Sequence, residues 1–138
     1  MRDHVILRVV SRFMIPFIFL FAFYIQFHGK ISPGGGFQAG VILASGFIVY
    51  SLIYGTEKVI KIVSVTYLKF LSALGVLIYA GVGLVSLLFN KEFLNYYALA
   101  IEPKTAQLIG ISAVEIGVGI TVFAVMMLIF LTFARAKE

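Results

Sequence analysis

Four long apolar stretches separated by short polar connectors set the plan of this chain: about 9–27, 36–54, 63–89 and 105–133. Each is long enough to cross the hydrocarbon core of a bilayer, which takes roughly 20 residues at 1.5 Å of rise per residue. The pattern therefore predicts an all-α membrane protein of four transmembrane helices, forming one integral membrane domain over 1–138. The connectors are His28 to Gly35, Gly55 to Ile62 with Glu57, Lys58 and Lys61, and Asn90 to Lys104 with an aromatic patch at Phe93, Tyr96 and Tyr97. That patch is expected to lie at headgroup level, where amphipathic rings collect.

The first connector holds the run Ser32-Pro33-Gly34-Gly35-Gly36-Phe37, preceded by His28, Gly29 and Lys30. Proline lacks a backbone donor and glycine loses the most backbone entropy in a helix, so the chain must turn here. Glycine-rich backbone at a membrane boundary needs protein packing or water to satisfy it, which points to a built site or a packed junction.

The first stretch invites a second interpretation, since Arg2 and Arg8 precede it in the manner of a signal peptide. It is longer than a signal core, and Gln26, Phe27 and His28 follow it in place of a small-residue cleavage pattern, so it is expected to be a retained helix. Pro16 is expected to bend it, with Arg12 reaching to the headgroups.

Composition sharpens the class. Charged residues are 12% of the chain, half of what a soluble domain carries, leaving little for a soluble domain to be built from. The net charge of +5 is unevenly placed. With four spans, Arg2, Arg8, Arg12, Lys58, Lys61, Lys69, Arg135 and Lys137 fall on one side and Lys30, Lys91 and Lys104 on the other. The positive-inside rule then makes both termini cytoplasmic and turns the glycine connector outward. The charge is an orientation signal, and no nucleic-acid partner is expected because no soluble basic face is present. Cysteine is absent and the two histidines, His4 and His28, are far apart, so no metal or cofactor site is expected. The triple glycine lacks the downstream Gly-Lys-Ser/Thr of a phosphate loop.

Small residues repeat at helical spacing: Gly36, Gly40, Ala44 and Ser51 on the second span, Ser72, Gly75, Tyr79, Gly83 and Ser86 on the third, and Gly110, Ala113, Gly117 and Thr121 on the fourth. Such faces let helix backbones approach closely, either within the chain or against another subunit. The rest of the exterior suits lipid or neighbouring helices.

Glu115 is the main candidate for chemistry. It lies about ten residues into the fourth span, where a lipid-exposed carboxylate would cost roughly 2.5 to 3.5 kcal/mol. A protonated state, a hydrated path or a cationic partner must compensate, and the ion-pathway reading is preferred over a neutral Glu bonded between helices. Ser112 and Gly119 share its helical face, one offering a hydroxyl and the other room for water. Lys69 is a weaker internal candidate, because a lysine near the cytoplasmic start of the third span can simply snorkel and enters from the opposite side.

The stretch from His28 to Gly40, with its Pro33-Gly34-Gly35-Gly36-Phe37 core between the first two of four helices, resembles the B-type subunit of the Mrp/Mnh-type multisubunit cation/proton antiporters. The run Glu115-Ile116-Gly117-Val118 resembles the acidic residue, more often Asp, that precedes Gly-Val in that family's last helix. Two departures stand out: His28 precedes Gly29 where family members often have the reverse order, and Glu115 replaces Asp. The resemblance implies an accessory subunit of a prokaryotic inner-membrane assembly, with other membrane subunits, lipid, Na+ and H+ as partners and no catalytic residue of its own. It implies an ion pathway at Glu115 and Ser112, with Lys69 and His28 as lesser candidates, and a structural motif at Pro33, Gly34, Gly35, Gly36, Phe37 and Gly40. The same subunit type occurs in membrane-bound hydrogenases and complex-I-like redox-driven pumps, which is the alternative setting. A small four-helix exporter, which carries its acid in the first helix and uses Trp, and a purely structural scaffold are the contrasting readings.

Overall fold

A computed structural model of the chain describes residues 4–29 and 34–136. The architecture is all-helical: α1 (His4–His28), α2 (Gly36–Tyr54), a short α3 (Thr56–Ile62), α4 (Val65–Leu88), a single 3-10 turn (Tyr96–Ala98) and α5 (Pro103–Arg135). The four long helices are each long and apolar enough to span a membrane. Of the expected glycine connector, Lys30 to Pro33 lie outside the described residues.

Local chemistry sets the boundaries. Gly55, at φ +94°, ends α2 in a conformation open to glycine. The chain then re-enters a helix where a plain connector was expected, because Val59 is fully buried while Glu57, Lys58 and Lys61 stay at the surface. The Lys58 ammonium sits 5.5 Å from the centre of the Tyr54 ring. Ser64 caps α4 by accepting from the Tyr67 N–H at 3.2 Å. Asn90 ends it at φ +54°, a position that asparagine tolerates. Pro103 opens α5 two residues before the expected start, as suits a residue with no N–H to satisfy in the first turn. Pro16 is carried inside α1.

The packing order is not the sequence order. α1 packs on α2, α2 on α5, and α5 on α4, so the long helices stand in the row α1, α2, α5, α4 instead of closing into a ring. The small-residue faces are used within the chain. Gly40 faces the Gly119 carbonyl and Val122, and Gly75 faces Gly117 and Thr121, so α5 is gripped by α2 on one side and α4 on the other. The largest buried cluster lies at the α3 end, where Val59, Val63 and Leu68 meet Phe123, Met127 and Leu131. At the opposite end two rings of the aromatic patch lie on glycines: half-exposed Phe93 covers Gly83 and Tyr96 covers Gly110. The Ser86 hydroxyl ties this connector to α4 through the Asn95 carbonyl at 3.0 Å.

α1 is the bare edge of the row. Among its described side chains only Ile15 and Ala22 are buried, while Phe13, Phe17, Leu20, Phe21, Phe23 and Phe27 are all more than half exposed. Such a surface belongs in lipid or against another apolar helix.

Candidate functional site

The turn and the acidic residue, 80 positions apart in sequence, are brought together. A Cβ built on Gly29 would come within 3.3 Å of the Glu115 Oε1, and one on Gly35 within 3.9 Å of the same atom. A Cβ on Gly36 would strike the Glu115 backbone carbonyl. The first residue of α2 is thus packed directly on the main chain of α5, with the Glu115 carboxylate lying over the glycine turn.

The consecutive glycines answer three different demands. Gly34 passes α1 closely, where a Cβ would be 3.2 Å from the Ile25 Cγ2. Gly35 has φ +134° and ψ 175°, a region held almost solely by glycine. Gly36 leaves no space between α2 and α5. The expected structural motif is therefore a mould around one side chain.

Level along the bundle follows from this contact. Glu115 is twelve residues beyond the start of α5 at Pro103, roughly 18 Å at 1.5 Å per residue. The facing ends of helices α1 and α2 consequently lie about three turns short of the start of α5. Between Lys69 of α4 and Lys91 just beyond its end no charged residue occurs, a stretch of about the bilayer's thickness. The glycine turn faces α5 within that apolar length, at the foot of a step.

Backbone in such a place must be satisfied by protein or water. Gly35, which precedes α2, has no side chain to cap it, and among the described residues no side chain bonds the N–H groups of the first turn. The start of a 19-residue helix carries about half a positive charge, and the Glu115 carboxylate lies beside it. Among the described residues no side-chain hydrogen bond or ion pair reaches that half-buried carboxylate.

The other candidates are placed differently. The Ser112 hydroxyl donates to the Leu108 carbonyl at 2.6 Å, so it is engaged with its own helix. Lys69 is exposed, and the register set by Gly75 against Gly117 and Thr121 puts it roughly 15 Å along the antiparallel helices from Glu115. His28 is on the outer side of α1, stacked on Tyr24 at 4.3 Å with its Nδ1 3.2 Å from the Tyr24 carbonyl. Phe37 points outward at 62% exposure, and Gly40 packs one turn below Gly36 on the same seam. Pro33 lies outside the described residues. No group of three or more His, Cys, Asp or Glu side chains is gathered among the described residues.

The model of the domain related to the MnhB subunit of Na+/H+ antiporters matches residues 6–128, which takes in the glycine turn, Glu115 and most of α5. The chain belongs to the MnhB family. Over 139 residues it is 29% identical to the protein named "Putative antiporter subunit mnhB2" of Staphylococcus aureus strain Newman, covering 99% of this chain and 98% of that one. Proteins of the same name from strains JH1 and USA300 match to the same extent. The fold also brings to the site a residue that the sequence did not single out. Gln26 of α1 faces Gly119, whose Cβ would stand 2.7 Å from the Gln26 Oε1. Its one visible signal was a lone amide three residues ahead of Gly29 in an otherwise apolar stretch.

Proposed function

We propose that this chain is an accessory membrane subunit of a multisubunit cation/proton antiporter, and that Glu115 is a relay or binding group on a hydrated Na+ or H+ route shared with neighbouring subunits. The observation that carries the reading is the Glu115 carboxylate lying over uncapped glycine backbone inside the apolar length of the bundle. A lipid tail can satisfy neither group, whereas water can satisfy both and a moving cation can pair with the carboxylate. The family and the relatives' names supply the reaction class, in which this subunit is one part of an assembly and not an enzyme by itself. The row of four helices supports dependence on neighbours, because it leaves the outer faces of α1 and α4 open to other subunits. Transport measured in everted vesicles with Glu115→Gln and Glu115→Asp in the assembled complex tests the role.

The turn at Gly34 to Gly36 serves as the mouth of that route. Gly35→Ala meets no steric obstacle nearer than the Glu115 Oε1 at 3.9 Å, but it forces a side chain into φ +134° at about 1–3 kcal/mol. The expected result is a complex that retains the subunit, as judged by co-purification, yet transports several-fold more slowly. Loss of the subunit from the complex would assign the turn to assembly alone.

Both termini and α3 face the cytoplasm in this reading, and the glycine turn faces outward. The sequence has no cysteine, so single introduced thiols report without background. Glu57→Cys in α3 is expected to react with a membrane-impermeant maleimide only from the cytoplasmic side, and Glu92→Cys only from the outer side. The reverse pattern overturns the orientation.

A further inference from the structure

We infer that Gln26 is a positioning residue for Glu115, its side-chain amide holding the carboxylate across one bridging water at the seam between α1 and α5. The inference rests on the proposed role of Glu115 and extends it to a second helix. The two seams are in register: on α1 Gln26 is followed by Gly29, and on α5 Gly119 is preceded by Glu115, with Gln26 against Gly119 and Gly29 against the Glu115 carboxylate. Three residues on α1 and four on α5 both amount to about one helical turn, so the amide and the carboxylate stand one turn apart along the same seam. A glutamine or glutamate side chain spans most of that interval. Gly119, with no side chain, is what leaves the room: its own Cβ would stand at 2.7 Å from the Gln26 Oε1 and 3.2 Å from the Gly36 carbonyl oxygen.

The surroundings set this amide apart from a surface glutamine. Gln26 is half-buried and is the polar side chain in an otherwise apolar groove of about 290 Å³ between α1, α2 and α5, with Leu71 of α4 also on its wall beside Phe23, Phe27, Leu43 and Phe123. Among the described residues no hydrogen-bond partner is assigned to its amide. An amide facing apolar walls is costly unless bonded, and the charged acceptor one turn away is the Glu115 carboxylate. The amide N–H groups are donors, and a carboxylate accepts them more strongly than a neutral acceptor does. The groove below Gln26 is dry in character, so the amide also marks the depth at which a hydrated route from the glycine turn gives way to hydrocarbon.

The test is a double-mutant cycle on the intact antiporter complex, reading sodium-dependent proton movement in vesicles and normalising to the amount of subunit retained. Gln26→Leu keeps the side chain's bulk and removes the amide; it is expected to raise the apparent KM for sodium about fivefold with little change in subunit retention. Gln26→Asn, which keeps the amide on a shorter stem, is expected to fall between the two. Adding Gln26→Leu to Glu115→Gln should cause no further loss, because the group being positioned has already gone. A wild-type KM in Gln26→Leu, or a loss that simply adds to that of Glu115→Gln, overturns the inference. If Glu115→Gln is itself silent, it is the reading of Glu115 that fails; if Glu115→Gln is impaired and Gln26→Leu is not, only the role of Gln26 fails. Should Gln26→Leu reduce retention, the KM of the retained Gln26→Asn complex decides: a raised value upholds positioning and a wild-type value overturns it.

Discussion

Glu115→Gln in the assembled complex is expected to lower cation-coupled proton movement at least tenfold while leaving the subunit in place. Glutamine matches glutamate in shape but carries no charge and cannot release a proton, so it removes the exchangeable function and little else. Assembly should survive because α2 meets α5 through the Glu115 carbonyl, not through its carboxylate. The helix start at Gly36 adds a directional argument: its partial positive charge complements a carboxylate and gives an amide much less. Glu115→Asp keeps the charge and draws it back by one methylene from Gly29 and Gly35, so intermediate activity is expected. Unchanged rate and unchanged pH dependence in Glu115→Gln would falsify the relay role.

Gly36→Ala is expected to have the largest structural effect. The added methyl would occupy the position of the Glu115 carbonyl, and its next neighbour is the Gly119 N at 3.0 Å. Both are helix backbone, which cannot rotate away as a side chain can, so α2 and α5 must separate over at least a turn. Helix association in lipid depends on close backbone approach, and Gly40 one turn below shares the same seam. The cost is about 3 kcal/mol or more, the upper range of overpacking, because the obstacle cannot yield. Co-purification should show the subunit lost from the complex, or a complex that falls apart at lower detergent or temperature. Gly81→Ala supplies the control: nothing lies within 4 Å of its Cβ, and alanine favours the helix, so retention should match the wild type. Equal retention of Gly36→Ala and Gly81→Ala would mean that the α2 and α5 seam is not what holds the subunit.

Much of the fold was legible along the chain because the relevant forces are local. Apolar length marks a span, proline and glycine stop a helix, and the connectors open at Gly55 and Asn90, whose backbone chemistry needs no knowledge of the tertiary structure. α3 was missed because its seven residues show only one buried position, Val59, and that burial exists only once α4 and α5 are in place. The contacts of Phe93 with Gly83 and of Tyr96 with Gly110 were not legible for the same reason: they exist only once α4 and α5 stand side by side.

The candidate site was legible in parts and not as a whole. Glu115 and the glycine run could each be singled out, one for its charge at depth and the other for its backbone. Their meeting was not visible, since nothing local states that α5 stands next to α2 and runs parallel to it. Gln26 passed as an ordinary polar residue, and Ser112 looked better aimed than its bond to the Leu108 carbonyl allows.

The sequence by itself determined four spanning helices, a compulsory turn before Gly36 and a lone acid in the last helix. It could do so because hydrophobic length and backbone freedom are properties of short segments. The tertiary structure alone decided the row α1, α2, α5, α4, the step at the glycine turn and the placing of Glu115 over Gly29 and Gly35. Those depend on the rotation and register of helices that are apolar on most sides, and in lipid only the matching of small residues such as Gly40 to Gly119 and Gly75 to Gly117 selects among the alternatives.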